Sequence, residues 1–417
     1  MIESIKRTFL PHPLLVKFST LLKQADQSRT DWISPFCILF LGMTGVCFIY
    51  SAESYSTTHK WIAQVAWLLM GAGLYTLVSL INYKVYLEYA HIIYGLSIIS
   101  VFLLWTPLGV EINGSRRWLN LGISYLQPSE LAKAGTLILA SGILARSKVG
   151  RFRDSLKTII KVILVFLLPI MLIFLQPDLG SSLVFPPMLF ALLYVSRLSK
   201  RFFASVFVIF TLLLGVIAWD VYGYCKHIEA SNQTKNPTLE EYQAILPLKG
   251  YQWKRILTFV APEVLDPKGI GDSWSLRQSL IAVGSGGLLG KGHNNSTQAK
   301  LGYLPQSEAI NDFIFAVFAE EKGFLGGLCI IILYALLIGN GIRVAGLARD
   351  RFGMLLALGS TVIFMIHIFV NIGMTIGLTP ITGIPLPFLS YGGSFILSCC
   401  VLQGFIQSIY RFRKDFS

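Results

Sequence analysis

Charge is what this sequence has least of. Of its 417 residues only 14% are charged and 54% are apolar, whereas a soluble domain has about 25% charged residues. A soluble chain of this length would divide into two or three domains and carry its charge outside. That apolar excess excludes an ordinary soluble enzyme and points to lipid as the solvent. Outer-loop disulfides are excluded as well. Of the six cysteines, Cys37, Cys47, Cys329, Cys399 and Cys400 lie in or beside apolar segments, and Cys225 is alone in the long polar loop. No CxxC or His/Cys spacing suggests zinc. Residues 1–33 have no apolar core ending in small residues, so no cleavable signal peptide is expected. The net charge of +13 is not interleaved with aromatics for base stacking, so no nucleic-acid partner is expected.

What the sequence has is a string of apolar runs near the length of a membrane span, about 20 residues. Ten are expected, at 33–52, 61–81, 88–108, 127–145, 159–176, 179–196, 202–220, 313–340, 353–376 and 387–409. The expected fold class is an all-α integral membrane protein, with a cytoplasmic segment 1–32, one polytopic domain over 33–413 and a cytoplasmic tail 414–417. With the N-terminus inside, the short inner loops carry twelve cations: Lys84, Arg146, Lys148, Arg151, Arg153, Lys157, Arg197, Lys200, Arg201, Arg343, Arg349 and Arg351. The short outer loops carry three, Lys60, Arg116 and Arg117. That bias sets both termini inside. Residues 221–312 form a large outer loop, far longer than ordinary connections. Its part from 229 to 248 reads as a flexible insertion, and its part from Tyr251 onward as ordered on the outer face of the bundle.

Three polar clusters stand at that face. The first runs Asn113-Gly114-Ser115-Arg116-Arg117-Trp118-Leu119-Asn120, then Gln127-Pro128-Ser129-Glu130-Leu131-Ala132-Lys133. Glu130 and Lys133 are three apart and share a helix face. Lys133 lies about 9 Å into its span, where an ionisable group lines a cavity or meets a partner. The pair reads either as structural or, with Arg116 and Arg117, as a cationic pocket for phosphate. The second cluster is Gln278-Ser279, the glycine-rich run Gly284 to Gly292 with Lys291, and Thr297-Gln298. It fails the P-loop spacing, because Ser285 and Gly292 stand where Gly and Ser or Thr are needed. Its glycines suit tight turns or close approach to a ligand. The third is Asn311-Asp312-Phe313 leading to Glu320-Glu321-Lys322. Asp312 reads as a helix N-cap or as a functional acid. On a straight helix Glu320 and Glu321 lie about 12–14 Å deeper, and only one of them can face the side of Asp312. Asp178, in Gln176-Pro177-Asp178-Leu179, has the same two readings. His91, His367 and Asn371, inside spans, read as helix–helix hydrogen-bonding groups.

Taken in order, these motifs resemble the SEDS family of bacterial shape, elongation, division and sporulation proteins. The resemblance runs from about Trp32 to Arg413 and includes Tyr251-Gln252, Arg255, Asp312-Phe313-Ile314-Phe315-Ala316, Asn371-Ile372-Gly373 and Pro385-Leu386-Pro387 to Ser394. Gly290-Lys291-Gly292 and Ile384-Pro385-Leu386-Pro387 look more like the rod-shape members than the division members. The resemblance implies a peptidoglycan glycosyltransferase that polymerises lipid II at the outer face of the bacterial cytoplasmic (inner) membrane. It also implies a class B penicillin-binding protein as partner. Asp312 matches the family's essential aspartate, and Lys133, Glu130 and Trp118 match positions of its central cavity. One departure is the run Pro305-Gln306-Ser307-Glu308-Ala309-Ile310-Asn311-Asp312, longer than the family's and without its His and Thr.

The chemistry expected from that reading uses Asp312 as general base on an acceptor hydroxyl. Lys133, Arg116, Arg117 and Lys291 are expected to meet the leaving pyrophosphate, with Glu130, Trp118, Gln278, Ser279 and Gln298 as further substrate contacts. Whether a divalent cation, magnesium or manganese, bridges phosphate and carboxylate is left open. So are two rival functions, a lipid II flippase and a non-catalytic scaffold for the penicillin-binding protein.

Overall fold

The computed structural model describes residues 30–413 apart from 55–57, 113–114, 123, 148–151, 177, 197–199, 233–244, 246–249, 267 and 272. Most of the insertion expected at 229–248, and nearly all of both terminal segments, therefore lies outside the described residues. The helices in chain order are α1 (Ile33–Glu53), α2 (Lys60–Leu80), α3 (Tyr83–Glu88), α4 (Ala90–Phe102), α5 (Pro128–Arg146), α6 (Phe152–Leu175), α7 (Leu179–Leu183), α8 (Phe185–Val195) and α9 (Lys200–Asn232). There follow α10 (Gly250–Val260), α11 (Pro262–Leu265), α12 (Trp274–Ser285), α13 (Thr297–Lys300), α14 (Gln306–Ile310), α15 (Ile314–Leu347), α16 (Arg351–Thr375) and α17 (Gly393–Arg411).

Each expected span coincides with a helix or a helix pair. Residues 179–196 divide into α7 and α8, where Pro186 and Pro187 open a new helix. Six of the described helices (α1, α2, most of α6, α15, α16 and α17) are long and apolar enough to cross a membrane. Burial sorts these helices. In α16 and α17, 78% of the apolar window is buried, against 22–39% in α1, α2, α6 and α15. The first two form the centre, and the others turn residues such as Leu39, Leu69 and Leu164 outward, as lipid contact requires.

Three features differ from the sequence expectation. Helix α9 runs past residue 220 to Asn232, because Val221 and Tyr224 pack on Trp253 and Leu257 of α10 and extend the helix beyond the lipid-facing stretch. The segment after α4 forms a small antiparallel sheet in the order β1 (Gly109–Ile112), β2 (Ser115–Asn120), β3 (Tyr125–Leu126). Finally, α15 is two helical pieces joined at Gly323, whose φ of 65° and ψ of −165° break the helix. The glycine-rich turn after α12 fills the break. Lys291 N and Gly292 N donate to the carbonyls of Glu320 and Glu321 (both 3.0 Å), and Phe324 N donates to Gly287 O (2.8 Å). A Cβ on Gly323 would stand 2.3 Å from Gly290 N, so only glycine fits there.

Candidate functional site

A cavity of about 130 Å³ opens between the β2 strand, the first turn of α5, the start of α15 and the segment entering α17; it is lined by Arg117, Trp118, Gln127, Glu130, Asp178, Ser181, Asn311, Asp312, His367, Gly383, Ile384, Pro385, Tyr391, Gly392 and Phe395. Helix α5 starts where Pro128 occupies its first turn, which carries Glu130 to the cavity wall. The β1–β2 ladder pairs Val110 with Trp118 and Glu111 with Arg116, a bulge that skips Arg117. Arg117 and Trp118 line the cavity, while Ser115 and Arg116 line a separate depression with Leu104, Trp105, Glu111 and Gln176.

The two acids with matching alternatives have different roles. Asp178 is a helix cap: its Oδ1 accepts from Ser181 N (3.1 Å), while its Oδ2 accepts from Gln127 Nε2 (3.2 Å). Arg117 lies 3.9 Å away. Asp312 is not a cap, since the N-cap position of α15 is Phe313 and no side chain caps it. The backbone holds Asp312 instead. Its N–H donates to Glu308 O (2.9 Å), and its carbonyl accepts from Asn371 Nδ2 (2.9 Å), which also donates to Ile384 O (2.8 Å). Ser390 Oγ donates to Asn311 O (2.5 Å) and fixes the neighbouring peptide. Among the described residues no donor reaches the Asp312 carboxylate, which looks onto the cavity beside Gly383. The acid is half-buried by surface area because the cavity admits solvent, yet protein surrounds it on the other sides. Burial, and then the nearby Glu308, push its pKa up to about 6 against the pull of Arg255 and Arg117.

Glu130 and Lys133 meet as their spacing predicts, with Nζ 2.7 Å from Oε1. The pair is buried, and Lys133 has a second partner, His367 Nε2 at 3.0 Å. The other residues of the predicted set are elsewhere. Lys291 Nζ is 2.6 Å from Glu320 Oε1 and 2.9 Å from Thr297 Oγ1. Glu320 also accepts from Ser296 Oγ, Thr297 N and Gln298 N, and Glu321 from Ser51 Oγ, Asn294 N and His293. Ser279 Oγ donates to Thr375 O (2.9 Å), and Gln278 and Gln298 are buried outside the cavity lining. Helix register let one glutamate face the side of Asp312; both are instead engaged by residues 291–298 and Ser51, which pack against this part of α15. The sequence reading placed no site role on His367, Tyr391 or Phe395. A histidine inside an apolar span was the signal for the first, and nothing local marked the other two.

Among the described residues no three His, Cys, Asp or Glu side chains gather to hold a metal ion. The donor set fits a divalent cation only in the mixed mode, where a carboxylate shares it with substrate phosphate and water.

Fold and cavity together define a multi-pass membrane protein with a polar pocket built on its most buried helices. Residues 31–415 match the family described as cell cycle protein, which unites FtsW, RodA and SpoVE. The chain is 31% identical to the peptidoglycan glycosyltransferase RodA of Treponema pallidum, over 92% of this chain and 98% of the relative. It is 34% identical to the peptidoglycan glycosyltransferase MrdB of Escherichia coli K12, over 94% and 96%. Its fold superposes with a TM-score of 0.71 on a chain from a peptidoglycan synthase complex described as coordinating polymerization and crosslinking, at 25% identity over 93% of this chain and 99% of the other. The Thermus thermophilus rod shape determining protein RodA shares the fold at a TM-score of 0.63 and 24% identity, over 93% and 98%. This chain belongs to the SEDS family, that of FtsW, RodA and SpoVE.

Proposed function

We infer that this chain is a peptidoglycan glycosyltransferase that polymerises lipid II into glycan strands at the outer face of the bacterial cytoplasmic membrane, serving cell shape and elongation. Its relatives carry that enzyme name across nearly their whole length. The observation that carries the mechanism is the Asp312 carboxylate, which faces the cavity, receives no donor from the described residues and is raised to about 6. A carboxylate so placed is ionised at neutral pH and more basic than an exposed one, as a general base should be. The terminal hydroxyl of acceptor lipid II gives its proton to Asp312 while its oxygen attacks the anomeric carbon of the growing chain. The bond from that carbon to the lipid pyrophosphate breaks, and Arg117 is the cavity cation nearest at hand to stabilise the leaving charge. A magnesium or manganese ion, when bound, would neutralise phosphate charge, and Asp312 is the residue that would hold it.

The partner we propose is a class B penicillin-binding protein, supported by the likeness to a chain of a synthase complex. Both termini are proposed to be cytoplasmic, on the excess of Lys and Arg in the inner loops. Gel-resolved polymerisation of labelled lipid II, with and without that partner, tests the function. Glycan ladders from the wild type and none from Asp312→Asn are expected, and no ladder even in the complex would overturn the reading. The break at Gly323 favours one other reading, a lipid II flippase, because discontinuous helices are common parts of transporters. Transfer of labelled lipid II across proteoliposomes at an equal rate in wild type and Asp312→Asn, without ladders, would support that alternative.

A further inference from the structure

The cavity is short of cations for a phosphate cradle. Lys291 is consumed by Glu320, and Arg116 is in a different depression. Lys133 is 1% exposed and is held from two sides. Its Nζ donates to Glu130 Oε1 at 2.7 Å and lies 3.0 Å from His367 Nε2. The tautomer of His367 follows from its other nitrogen, which is 3.2 Å from Pro385 O. A carbonyl only accepts, so Nδ1 carries the ring proton and Nε2 offers its lone pair to the Lys133 ammonium. Lys133 is thus a strut behind the wall, and its two partners, Glu130 and His367, are the groups that line the cavity. Arg117 is the one cation among the described lining residues, and it already lies beside Asp178.

Acceptors dominate what remains. Glu130, Asp178 and Asp312 face the cavity, and Asn311 Oδ1 is buried without a partner among the described residues. Trp118, Tyr391 and Phe395 supply aromatic walls. Hydroxyl groups are donors that such acceptors can satisfy, and the C–H faces of a sugar ring pack on aromatic rings. A phosphate dianion offers acceptors only and would meet like charge. We propose that the inner cavity binds the uncharged terminal sugar of the acceptor, and that His367 is a positioning residue that keeps the Lys133 ammonium turned away from it. This deepens the glycosyltransferase reading and rests on it. The donor's leaving pyrophosphate is left to Arg117, and Lys60, whose Nζ lies 5.8 Å from the centroid of the Tyr391 ring, is a further cation close to a lining residue.

The test is saturation-transfer NMR on the detergent-solubilised full chain. The probe is the soluble disaccharide peptide of lipid II, without lipid or phosphate, and inorganic pyrophosphate in large excess is the competitor. Transfer to the sugar ring protons that survives pyrophosphate is expected in the wild type. His367→Leu removes one of the two partners of Lys133, so the ammonium, still paired with Glu130, can turn toward the cavity and pyrophosphate should then displace the sugar. His367→Gln restores an acceptor oxygen and should behave as the wild type, which separates positioning from a purely structural role. Displacement by pyrophosphate in the wild type, no transfer at all, or identical behaviour of the Leu and Gln variants overturns the proposal. Sugar transfer in a protein that makes no ladders would instead sink the polymerase reading and leave the sugar subsite standing.

Discussion

Two polar clusters in this protein look alike as sequence and differ in three dimensions. One joins Lys291 to Glu320 and Glu321; the other joins Lys133 to Glu130 beside Asp312. Each sets a lysine against carboxylates. In the first, the glutamate oxygens accept hydrogen bonds from Lys291 and from the backbone and side chains of residues 294–298. In the second, Asp312 has no donor among the described residues and opens onto a cavity. A cluster whose valences are filled by protein is a clamp, and one with valences left over can bind. The difference between them is one of hydrogen bonds, which residue type does not reveal.

The comparison can be broken most sharply at Asp312. Asp312→Asn is expected to lower ladder formation by at least about 100-fold, the lower end of general-base contributions. It should also melt no lower than the wild type. The folded pKa of about 6 is above the ordinary carboxylate value of 3.8, so ionising Asp312 at neutral pH costs stability that the amide does not forfeit. A clear loss of melting temperature would make Asp312 structural. Glu320→Ala should do the reverse. Only Glu320 of the pair is buried. Its loss leaves Ser296 Oγ, Thr297 N and Gln298 N without their acceptor, at about 1–3 kcal/mol for each donor left unsatisfied, so less folded protein and a lower melting temperature are expected. Whatever folds should retain near-normal ladder formation per molecule.

The pH profile sharpens the same contrast. Ladder formation should fall about tenfold per pH unit below the value near 6 set by burial of Asp312. A profile that stays flat to pH 5 would remove the base assignment. The smallest effect separates the two arginines. Arg117→Ala should slow polymerisation about tenfold, equivalent to about 1.4 kcal/mol of transition-state stabilisation, while Arg116→Ala stays close to the wild type. Equal losses at both positions would mean that the strand does not sort them.

Much of this was legible before any coordinates. Apolar runs marked the helices, six of which among the described residues are long and apolar enough to cross a membrane, because a bilayer demands about 20 apolar residues whatever the neighbours do. Glu130 and Lys133 could be paired from their spacing, since helix geometry alone puts them on one face. The Asp178 and Asp312 alternatives could be stated but not decided. An N-cap is recognised by whether a backbone N–H reaches the carboxylate, and that depends on the dihedral angles of the turn. The insertion of the glycine-rich turn into α15 was hidden for a similar reason. Gly323 lies in an apolar helix pattern, and only the turn of Gly286 to Gly292 packed against it accounts for the break.

Sequence by itself determined that the chain lives in lipid, which family it joins and which polar residues compete for the site, because those properties follow from composition, period and motif. Tertiary structure alone decided which residues share a cavity. Arg117 parted from Arg116 at a bulge in the β1–β2 ladder, Lys133 turned to His367 from another helix, Lys291 closed on Glu320 beside a broken one, and Asp312 was left without a donor among the described residues. Each of these outcomes depends on contacts between segments far apart in the chain, and hydrogen-bond valence is filled or left open only where such segments meet.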